Sequence, residues 1–215
     1  MNKNKSAFLA FLLALGLFTL VGCGKDEKKK EEPKKEEKVK EVVSEKFDAT
    51  KYTKPVEKYT LTSTNKKASI DVAYAKESGY TADTSKATYR LILENAKDTS
   101  KTEVQFFNTK LESSKAVAKK EEKDFDSSKI KNYAKLTYDG KEGWEVYRTT
   151  SDGKIISYEA QLFLGEADKD GMTSAAKITV TVNSTTDEGK KFDFEKYVKS
   201  DDFQYLLYSI ALKNN

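Results

Sequence analysis

Histidine is absent from this chain of 215 residues, and cysteine occurs only once. Without histidine, the chain cannot form a Ser-His-Asp or Cys-His nucleophilic arrangement, or a zinc site with imidazole ligands. A single cysteine cannot form an intramolecular disulfide, so the folded part must be stabilised by its core. The ten glycines form neither a GxGxxG nor a GK[ST] phosphate loop. These absences favour binding over catalysis, but they leave open catalysis by carboxylate pairs or by lysine and serine.

A strong excess of one charge is also lacking. The chain carries 39 Lys and Arg against 35 Asp and Glu, a formal net charge of +4. Nucleic-acid-binding domains normally cluster basic residues and have a high pI, so we expect no nucleic-acid partner. Arg90 and Arg148 are the only arginines. Because lysine codons are rich in A and T, this preference for lysine favours a low-GC, Gram-positive source.

The N-terminal segment is a charged end followed by an apolar run. Lys3 and Lys5 precede an apolar stretch from Ala7 through Leu20. This order is typical of a secretory signal. The run is shorter than the roughly 20 apolar residues of a transmembrane helix, and a strongly charged segment follows it. We therefore expect export across a membrane.

The end of this run, Leu20-Val21-Gly22-Cys23, resembles the lipobox of bacterial lipoproteins. The resemblance implies that a signal peptidase recognises Leu20, Val21 and Gly22 and cuts before Cys23. It also implies that the Cys23 thiol carries a diacylglyceryl group with acyl chains such as palmitate. Two acyl chains anchor a protein stably, at about 0.8 kcal/mol for each buried CH₂. Residues 1–22 are thus predicted to be a signal peptide, with Cys23 as a lipid anchor on the outer face of the cell membrane. The alternative is that Cys23 is an ordinary small residue.

Residues 23–46 are predicted to comprise the lipidated cysteine and a disordered linker. Lysine and glutamate alternate in short blocks around Pro33, with almost no apolar residue before Val39. Such a segment cannot bury enough apolar surface to offset the entropy lost on ordering. Fully extended, the roughly 23 residues after Cys23 would reach about 75 Å, at about 3.3 Å per residue.

Residues 47–215 are predicted to form a single globular α+β domain, because aromatic and β-branched residues begin to alternate with polar ones. The expected inward residues are Ile70, Val72, Tyr74, Tyr89, Leu91, Leu93, Val104, Phe106, Trp144, Val146, Ile156, Tyr158, Ala160, Leu162, Leu164, Ile178, Val180 and Val182. Asp139-Gly140 and Asp152-Gly153 predict tight hairpin turns. The strands from about residue 133 to 163 should therefore form an antiparallel meander.

Two segments follow a helical period instead. Residues 113–125 are rich in Ala, Lys and Glu and predict a mostly solvated helix, with Val117 and Phe125 as inward contacts. Near the C-terminus, Ser200 is a candidate N-cap for an amphipathic helix. The apolar stripe of this second helix comprises Phe203, Leu206, Leu207, Ile210 and Ala211. We expect it to pack on the sheet.

The order of these elements, with Gly-Trp-Glu-Val-Tyr at 143–147 and the closing helix at 203–210, resembles PsbP-like domains and the related Ran-binding import factors. The resemblance spans most of residues 59–212. It implies an antiparallel β-sheet flanked by helices, an α/β/α sandwich. Members of this family are mainly accessory or interaction proteins, so the resemblance implies a binding domain that is not an enzyme.

One local pattern resembles a calcium loop. Glu166, Asp168 and Asp170 precede Gly171 with the spacing of the first ligand positions. Lys177, however, stands where the bidentate glutamate of such a loop belongs. A polar hairpin connection is the simpler interpretation, and we assign no metal ligand.

Five aromatic residues in the meander are a further candidate for a carbohydrate-stacking or partner-binding surface. They are Tyr133, Tyr138, Trp144, Tyr147 and Tyr158. Strand patterning favours core packing, especially for Trp144 and Tyr158. Tyr147, on the opposite strand face from Trp144, is the expected exposed member.

The sequence therefore predicts a membrane-anchored extracytoplasmic lipoprotein with a non-enzymatic binding or accessory domain. The expected partners are the membrane, through the N-terminal lipid, and a protein or envelope polymer. No catalytic residue, cofactor or metal is expected. Two alternatives remain open: a small solute-binding lipoprotein of a transporter, and an envelope-polymer hydrolase that uses carboxylates.

Overall fold

The computed structural model describes residues 40–43, 47–126 and 131–213, and in this part the chain has a mixed α+β fold. The strands are β1 (Lys40–Val43), β2 (Val56–Thr62), β3 (Ser69–Ala75), β4 (Tyr80–Asp83), β5 (Arg90–Asn95), β6 (Ser100–Lys110), β7 (Lys131–Tyr138), β8 (Lys141–Thr149), β9 (Ile155–Phe163), β10 (Met172–Val182) and β11 (Ala211–Leu212). The helices are α1 (Leu111–Asp126), α2 (Asp187–Lys190), α3 (Phe194–Val198) and α4 (Asp201–Ser209), with short 3₁₀ turns at Ala49–Lys51 and Lys76–Ser78.

The described strands form two sheets. The larger has eight strands in the order β1-β7-β8-β9-β10-β6-β5-β4, and the smaller has three in the order β11-β3-β2. Neighbouring strands run antiparallel except β1 and β7, which are parallel. The predicted meander of β7, β8 and β9 is confirmed. Its first turn has positive φ angles at Asp139 (47°) and Gly140 (77°), and its second has one at Gly153 (83°).

The larger sheet packs against other elements over most of one face and, on the other face, beneath helix α1. On one face, a large apolar core joins it to β2, β3, α3 and α4, through residues such as Ile70, Leu91, Phe106, Tyr158, Ile178 and Phe203. On the other face, Tyr133, Trp144 and Val146 form a small cluster against Ala118 of α1. Strands between two covered faces bury both sets of alternating side chains. Trp144 and Tyr158, which belong to different clusters, are therefore both buried, at 2% and 0% exposure.

Most of the prediction for the C-terminal helix α4 is confirmed. The Ser200 side chain accepts a hydrogen bond from the Phe203 N–H, as an N-cap does. The helix ends at Ser209, whose hydroxyl accepts from Ala73 N at 2.8 Å and thereby joins α4 to β3. The assignment of Ala211 to the apolar stripe is wrong, because the chain has already turned into β11, where Ala211 is exposed.

Helix α1 is where predicted, but its predicted inward contact at Val117 is wrong. Val117 is 43% exposed, whereas Ser114 and Glu121 are buried. Ser114, Ala118 and Glu121 are spaced by four and three residues and so share one helix face. That face is small and polar rather than apolar, which is why hydrophobic periodicity did not find it. The Phe125 side chain lies outside the described part of the chain.

Two further expectations are corrected. The disordered linker was predicted to extend to residue 46, but Lys40–Val43 form a strand paired with β7. Val42 and Val43 are β-branched and favour a strand. Because lysines and glutamates surround them, the composition of the longer segment does not reveal this short strand. Ile156 was expected in the core, yet it is 41% exposed. The pairing of β8 with β9 shifts register beside it, so the alternation is broken there.

Candidate ligand-binding surfaces

A groove between helix α1 and strands β7 and β8 is the larger of two candidate surfaces. We call it the α1 groove; it has a volume of about 370 Å³. Tyr133 and Phe163 supply aromatic lining, and Lys115, Lys119 and Lys135 border it. All three lysines are exposed. The surface thus combines the partly exposed Phe163 ring with positive charge.

A network of charged side chains holds α1 against the sheet beside this groove. Arg148 on β8 donates from Nη2 to Oε1 of Glu121 on α1 at 2.9 Å. The same guanidinium donates from Nε to Oε1 of Glu159 on β9 at 2.7 Å, and from Nη2 to Glu159 Oε2 at 3.3 Å. Lys177 on β10 adds an ion pair with Glu159 at 3.0 Å. One arginine therefore links the helix to two strands.

The ionisation of Glu159 follows from these contacts. Burial acts to raise the pKa of this carboxyl, but Arg148 and Lys177 outweigh burial and hold the pKa below its ordinary value. The Glu159 side chain is only 13% exposed, so water screens the network weakly. The charged form of Glu159 is thus part of the native structure at neutral pH.

Glycine at position 143 allows the sheet beside the groove to form. A Cβ atom at this position would lie 1.8 Å from the backbone oxygen of Gln161 on β9. No side chain fits without moving the two strands apart. The close approach places the backbone of Gly143 in the groove lining.

Three buried polar atoms on α1 and on the strands near it have no hydrogen-bond partner in the described part of the chain. They are Trp144 Nε1, Gln161 Nε2 and Glu121 Oε2. Trp144 and Gln161 are cross-strand neighbours, so their side chains share one sheet face. Buried polar atoms of this kind, two donors and one carboxylate acceptor, are normally satisfied by water or by a bound group.

A second candidate surface is a smaller pocket between α3, α4, β3 and β5. We call it the tyrosine pocket; it has a volume of about 190 Å³, and its lining includes Tyr74, Tyr80 and Tyr197. Tyr80 donates to the Tyr197 hydroxyl at 2.5 Å, and the Tyr197 hydroxyl also bonds Thr102 Oγ1 at 2.7 Å. Burial raises the pKa of both Tyr80 and Tyr197. Their hydroxyls therefore remain protonated and fix the rings in place.

One half-buried carboxyl lies on the main-core face of the larger sheet and lines neither candidate surface. Glu145 alternates with Trp144 along β8 and so faces the opposite side of the sheet. Its Oε2 accepts a hydrogen bond from the Tyr158 hydroxyl at 2.8 Å. Burial raises the pKa of Glu145. Glu145 is thus a half-buried carboxyl that accepts a hydrogen bond from the fully buried Tyr158.

The five aromatic residues of the meander are core residues and do not form one surface. Tyr138, Tyr147 and Tyr158 belong to the main core, whereas Tyr133 and Trp144 belong to the cluster under α1. The expectation that Tyr147 is exposed is wrong, since it is 6% exposed. Its ring packs edge-on against Tyr158 at a centroid distance of 5.1 Å. The error arose because both faces of this sheet are covered.

The loop that resembles a calcium site is the polar connection between β9 and β10. Asp168 Oδ1 accepts hydrogen bonds from the backbone N–H groups of Asp170 and Met172, both at 2.9 Å. Lys177 lies within β10 and pairs with Glu159 instead. In the described ranges, no group of three or more His, Cys, Asp or Glu side chains is arranged to hold a metal ion.

The proposed anchor, Cys23, and the preceding Leu20, Val21 and Gly22 lie outside the described residues. Within residues 40–43, 47–126 and 131–213, no helix combines the length and apolar character needed to cross a membrane. No protein-family model, curated protein or solved structure matches the chain.

Proposed function

We propose that this chain is a membrane-anchored extracytoplasmic lipoprotein whose domain binds an acidic partner through the α1 groove without catalysing a reaction. The α1 groove is the observation that carries the proposal. Lys115, Lys119 and Lys135 border it, and Glu142 is the one acidic residue among its described lining. Charge complementarity thus favours a partner that presents carboxylate or phosphate groups. An acidic protein segment and an anionic envelope polymer both meet this requirement.

The groove has features that suit recognition. Its volume of about 370 Å³ lies within the range of small-ligand sites, which is about 300–1,000 Å³. The half-buried Phe163 offers aromatic contact area above the buried Tyr133, while the surrounding lysines favour ligands with negative charge. The Arg148 network keeps α1 in position, so a partner would meet a preformed surface.

The proposed anchor rests on the lipobox resemblance at Leu20-Val21-Gly22-Cys23. Cys23→Ala should abolish incorporation of a palmitate analogue and either release the protein from the membrane fraction or stall its processing. Metabolic labelling followed by cell fractionation measures both effects. Unchanged labelling of the Cys23→Ala protein would contradict the anchor assignment.

The finer fold proposed here is the α/β/α sandwich of PsbP-like domains. Helix α1 packs on one face of the larger sheet, and α3 contributes to the core on its other face, an arrangement that supports the proposal. The three-stranded sheet of β11, β3 and β2 lies beside α4 on that second side. By analogy with that family, an accessory function follows.

Cross-linking in intact cells tests the binding surface. A photoreactive residue in place of Lys119 should capture a partner, whereas one in place of the exposed Lys58 should not. The triple variant Lys115→Glu/Lys119→Glu/Lys135→Glu should lower recovery of that partner at least about tenfold, because it reverses three charges at the contact.

A matched control reverses three exposed lysines elsewhere: Lys58→Glu/Lys86→Glu/Lys154→Glu. It changes the net charge by the same amount and should leave capture unchanged. Equal losses in the two triple variants would show that general charge, not the α1 groove, governs binding. Equal capture from positions 119 and 58 would also contradict the proposal.

The second candidate function, a solute-binding lipoprotein, is favoured by the tyrosine pocket. This pocket is small and is lined by Tyr74, Tyr80, Tyr197 and other side chains. A thermal-shift screen with sugars, amino acids and peptides separates the two functions, since a ligand well above its Kd raises stability. A small-molecule hit with no cross-linked partner would favour solute binding.

A further inference from the structure

The tyrosine pocket has an acidic and aromatic lining in a lysine-rich chain. None of the described residues that line it is basic, although the chain has 39 Lys and Arg. Asp98 and Asp202 supply two carboxyl groups, and Tyr80, Tyr197 and Phe203 supply rings. This combination favours cationic ligands over anionic ones.

The two carboxyl groups differ in how far they are already neutralised. Asp202 Oδ1 lies 2.6 Å from Lys54 Nζ and accepts a hydrogen bond from the Tyr52 hydroxyl at 2.9 Å. Asp98 forms no ion pair with any described residue. Its Oδ1 accepts a hydrogen bond from the backbone N–H of Ser100 at 2.9 Å. Asp98 is therefore the carboxylate of this pocket that lacks a compensating cation.

The negative charge of Asp98 affects the pKa values of Tyr80 and Tyr197. Burial is the main cause of the raised pKa of both Tyr80 and Tyr197, and the negative charge of Asp98 adds to it in each case. Asp98, Tyr80 and Tyr197 also line the same pocket. A cation between these groups would interact with the charge and with the rings together.

The rings are held rigidly. The hydroxyls of Tyr80 and Tyr197 bond each other, and the Tyr197 ring packs against Phe203 at a centroid distance of 5.2 Å. The Tyr197 ring also packs against Phe192 at a centroid distance of 5.3 Å. Because the hydroxyls already have partners, a ligand in the pocket would meet the parts of the two rings that line it. Aromatic faces attract ammonium groups, and desolvation strengthens that attraction.

We propose that the tyrosine pocket binds a small methylated ammonium compound, with its positive charge held between Asp98 and the rings of Tyr80 and Tyr197. Leu93 and Leu206, which also line the pocket, suit the methyl groups of such a ligand better than the N–H groups of a primary amine. At about 30 Å³ per water molecule, the volume of about 190 Å³ equals about six waters. A ligand of about seven non-hydrogen atoms, such as choline, matches this size. The site is separate from the α1 groove and does not depend on the function proposed for it.

Calorimetric titration of the full chain in a maltoside detergent tests the site with choline as the probe. The neutral isostere 3,3-dimethyl-1-butanol is the ligand control, because it has the same shape without the charge. Choline should give a saturable signal, and the isostere should bind at least about tenfold more weakly. Equal binding of the two compounds, or no saturable signal from choline, would overturn the proposal.

Asp98→Asn should weaken choline binding at least about tenfold, since it removes the charge but keeps the oxygen that accepts from Ser100 N–H. Asp83→Asn is the matched control, because Asp83 Oδ1 likewise accepts from the N–H two residues later, at 2.8 Å, and does not line the pocket. Tyr80→Phe keeps the ring and should retain binding, whereas Tyr80→Leu should lose it. Unchanged affinity in both Asp98→Asn and Tyr80→Leu would refute the assignment. Partner capture through the α1 groove should be the same in all four variants, so the two proposals can fail separately.

Discussion

Replacing Arg148 with methionine should destabilise the domain by about 2 to 3 kcal/mol at neutral pH. Breaking a buried ion pair by removing one partner costs about 3 to 5 kcal/mol. The Arg148 side chain is 31% exposed, so we reduce that figure, whereas Glu121 and Glu159 are only 9% and 13% exposed. Methionine keeps much of the side-chain volume, so the loss reports the missing charge and hydrogen bonds rather than a cavity.

Thermal and urea unfolding followed by tryptophan fluorescence measure this loss. Trp144 is the only tryptophan, and it lies beneath α1, next to the network. For a domain of this size, about 2 to 4 °C in Tm corresponds to 1 kcal/mol, so we expect Tm to fall by about 4 to 12 °C. Arg90→Met is the matched control. Arg90 Nε lies 3.0 Å from Glu103 Oε1, but these two side chains are more exposed than Arg148 and Glu159. The expected loss of stability in Arg90→Met is therefore below about 1 kcal/mol.

The difference in stability between the native protein and Arg148→Met should depend on pH if its cause is electrostatic, and should not if its cause is packing. The folded structure lowers the pKa of Glu159 below 4.5, so its charged form contributes stability above about pH 4.5 that is lost as the pH falls through the lowered pKa. In Arg148→Met, Glu159 loses its main partner, and its pKa should rise. The gap between the native protein and the variant should therefore shrink on acidification. A gap that does not change with pH, or a loss no larger than that of Arg90→Met, would refute the reasoning.

Two further predictions concern strand β8. Glu145→Gln should stabilise the domain at neutral pH. Burial raises the pKa of Glu145, so the native protein loses stability as the pH rises and this carboxyl ionises, whereas glutamine stays neutral. Urea unfolding should show that the gain disappears below about pH 4.5, where the carboxyl is protonated in both the folded and the unfolded protein. An equal gain at acidic pH would contradict this cause. Gly143→Ala should cost at least about 3 kcal/mol or prevent folding, because the new Cβ would meet the Gln161 backbone oxygen. Gly140→Ala, which has open space but a φ of 77°, should cost only about 1 kcal/mol in the same measurement, and equal losses would contradict the steric argument.

The parts of the fold that local chemistry determines were predictable from the sequence. Asp139-Gly140 adopts the positive φ angles that join β7 to β8, and Ser200 caps α4. Both depend on neighbouring residues alone. The apolar alternation in β3, β6 and β10 likewise identified strands, and the residues expected to face inward there are buried except Val182, which is half-buried.

The parts that depend on distant partners were not predictable in this way. Glu121 faces inward because Arg148 meets it from another element, and no periodicity in α1 reveals that partner. Tyr147 was wrongly expected to be exposed. The alternation of side chains along β8 shows which residues share a face, but it does not show that both faces of this strand are buried. The two candidate surfaces were missed for the same reason: Lys119 and Lys135, or Tyr80 and Tyr197, come together only in the folded chain.

The parallel pairing of β1 with β7 limits how far the proposed tether can extend. Residues 24–39 separate Cys23 from Lys40, which is paired at the sheet edge, and about 16 residues at about 3.3 Å each span at most about 53 Å. The full linker predicted from composition would have given about 75 Å. A load on the spacer would act first on the short β1–β7 ladder, because that is where the chain first joins the sheet. Release of those four residues would lengthen the tether before the rest of the domain came under force.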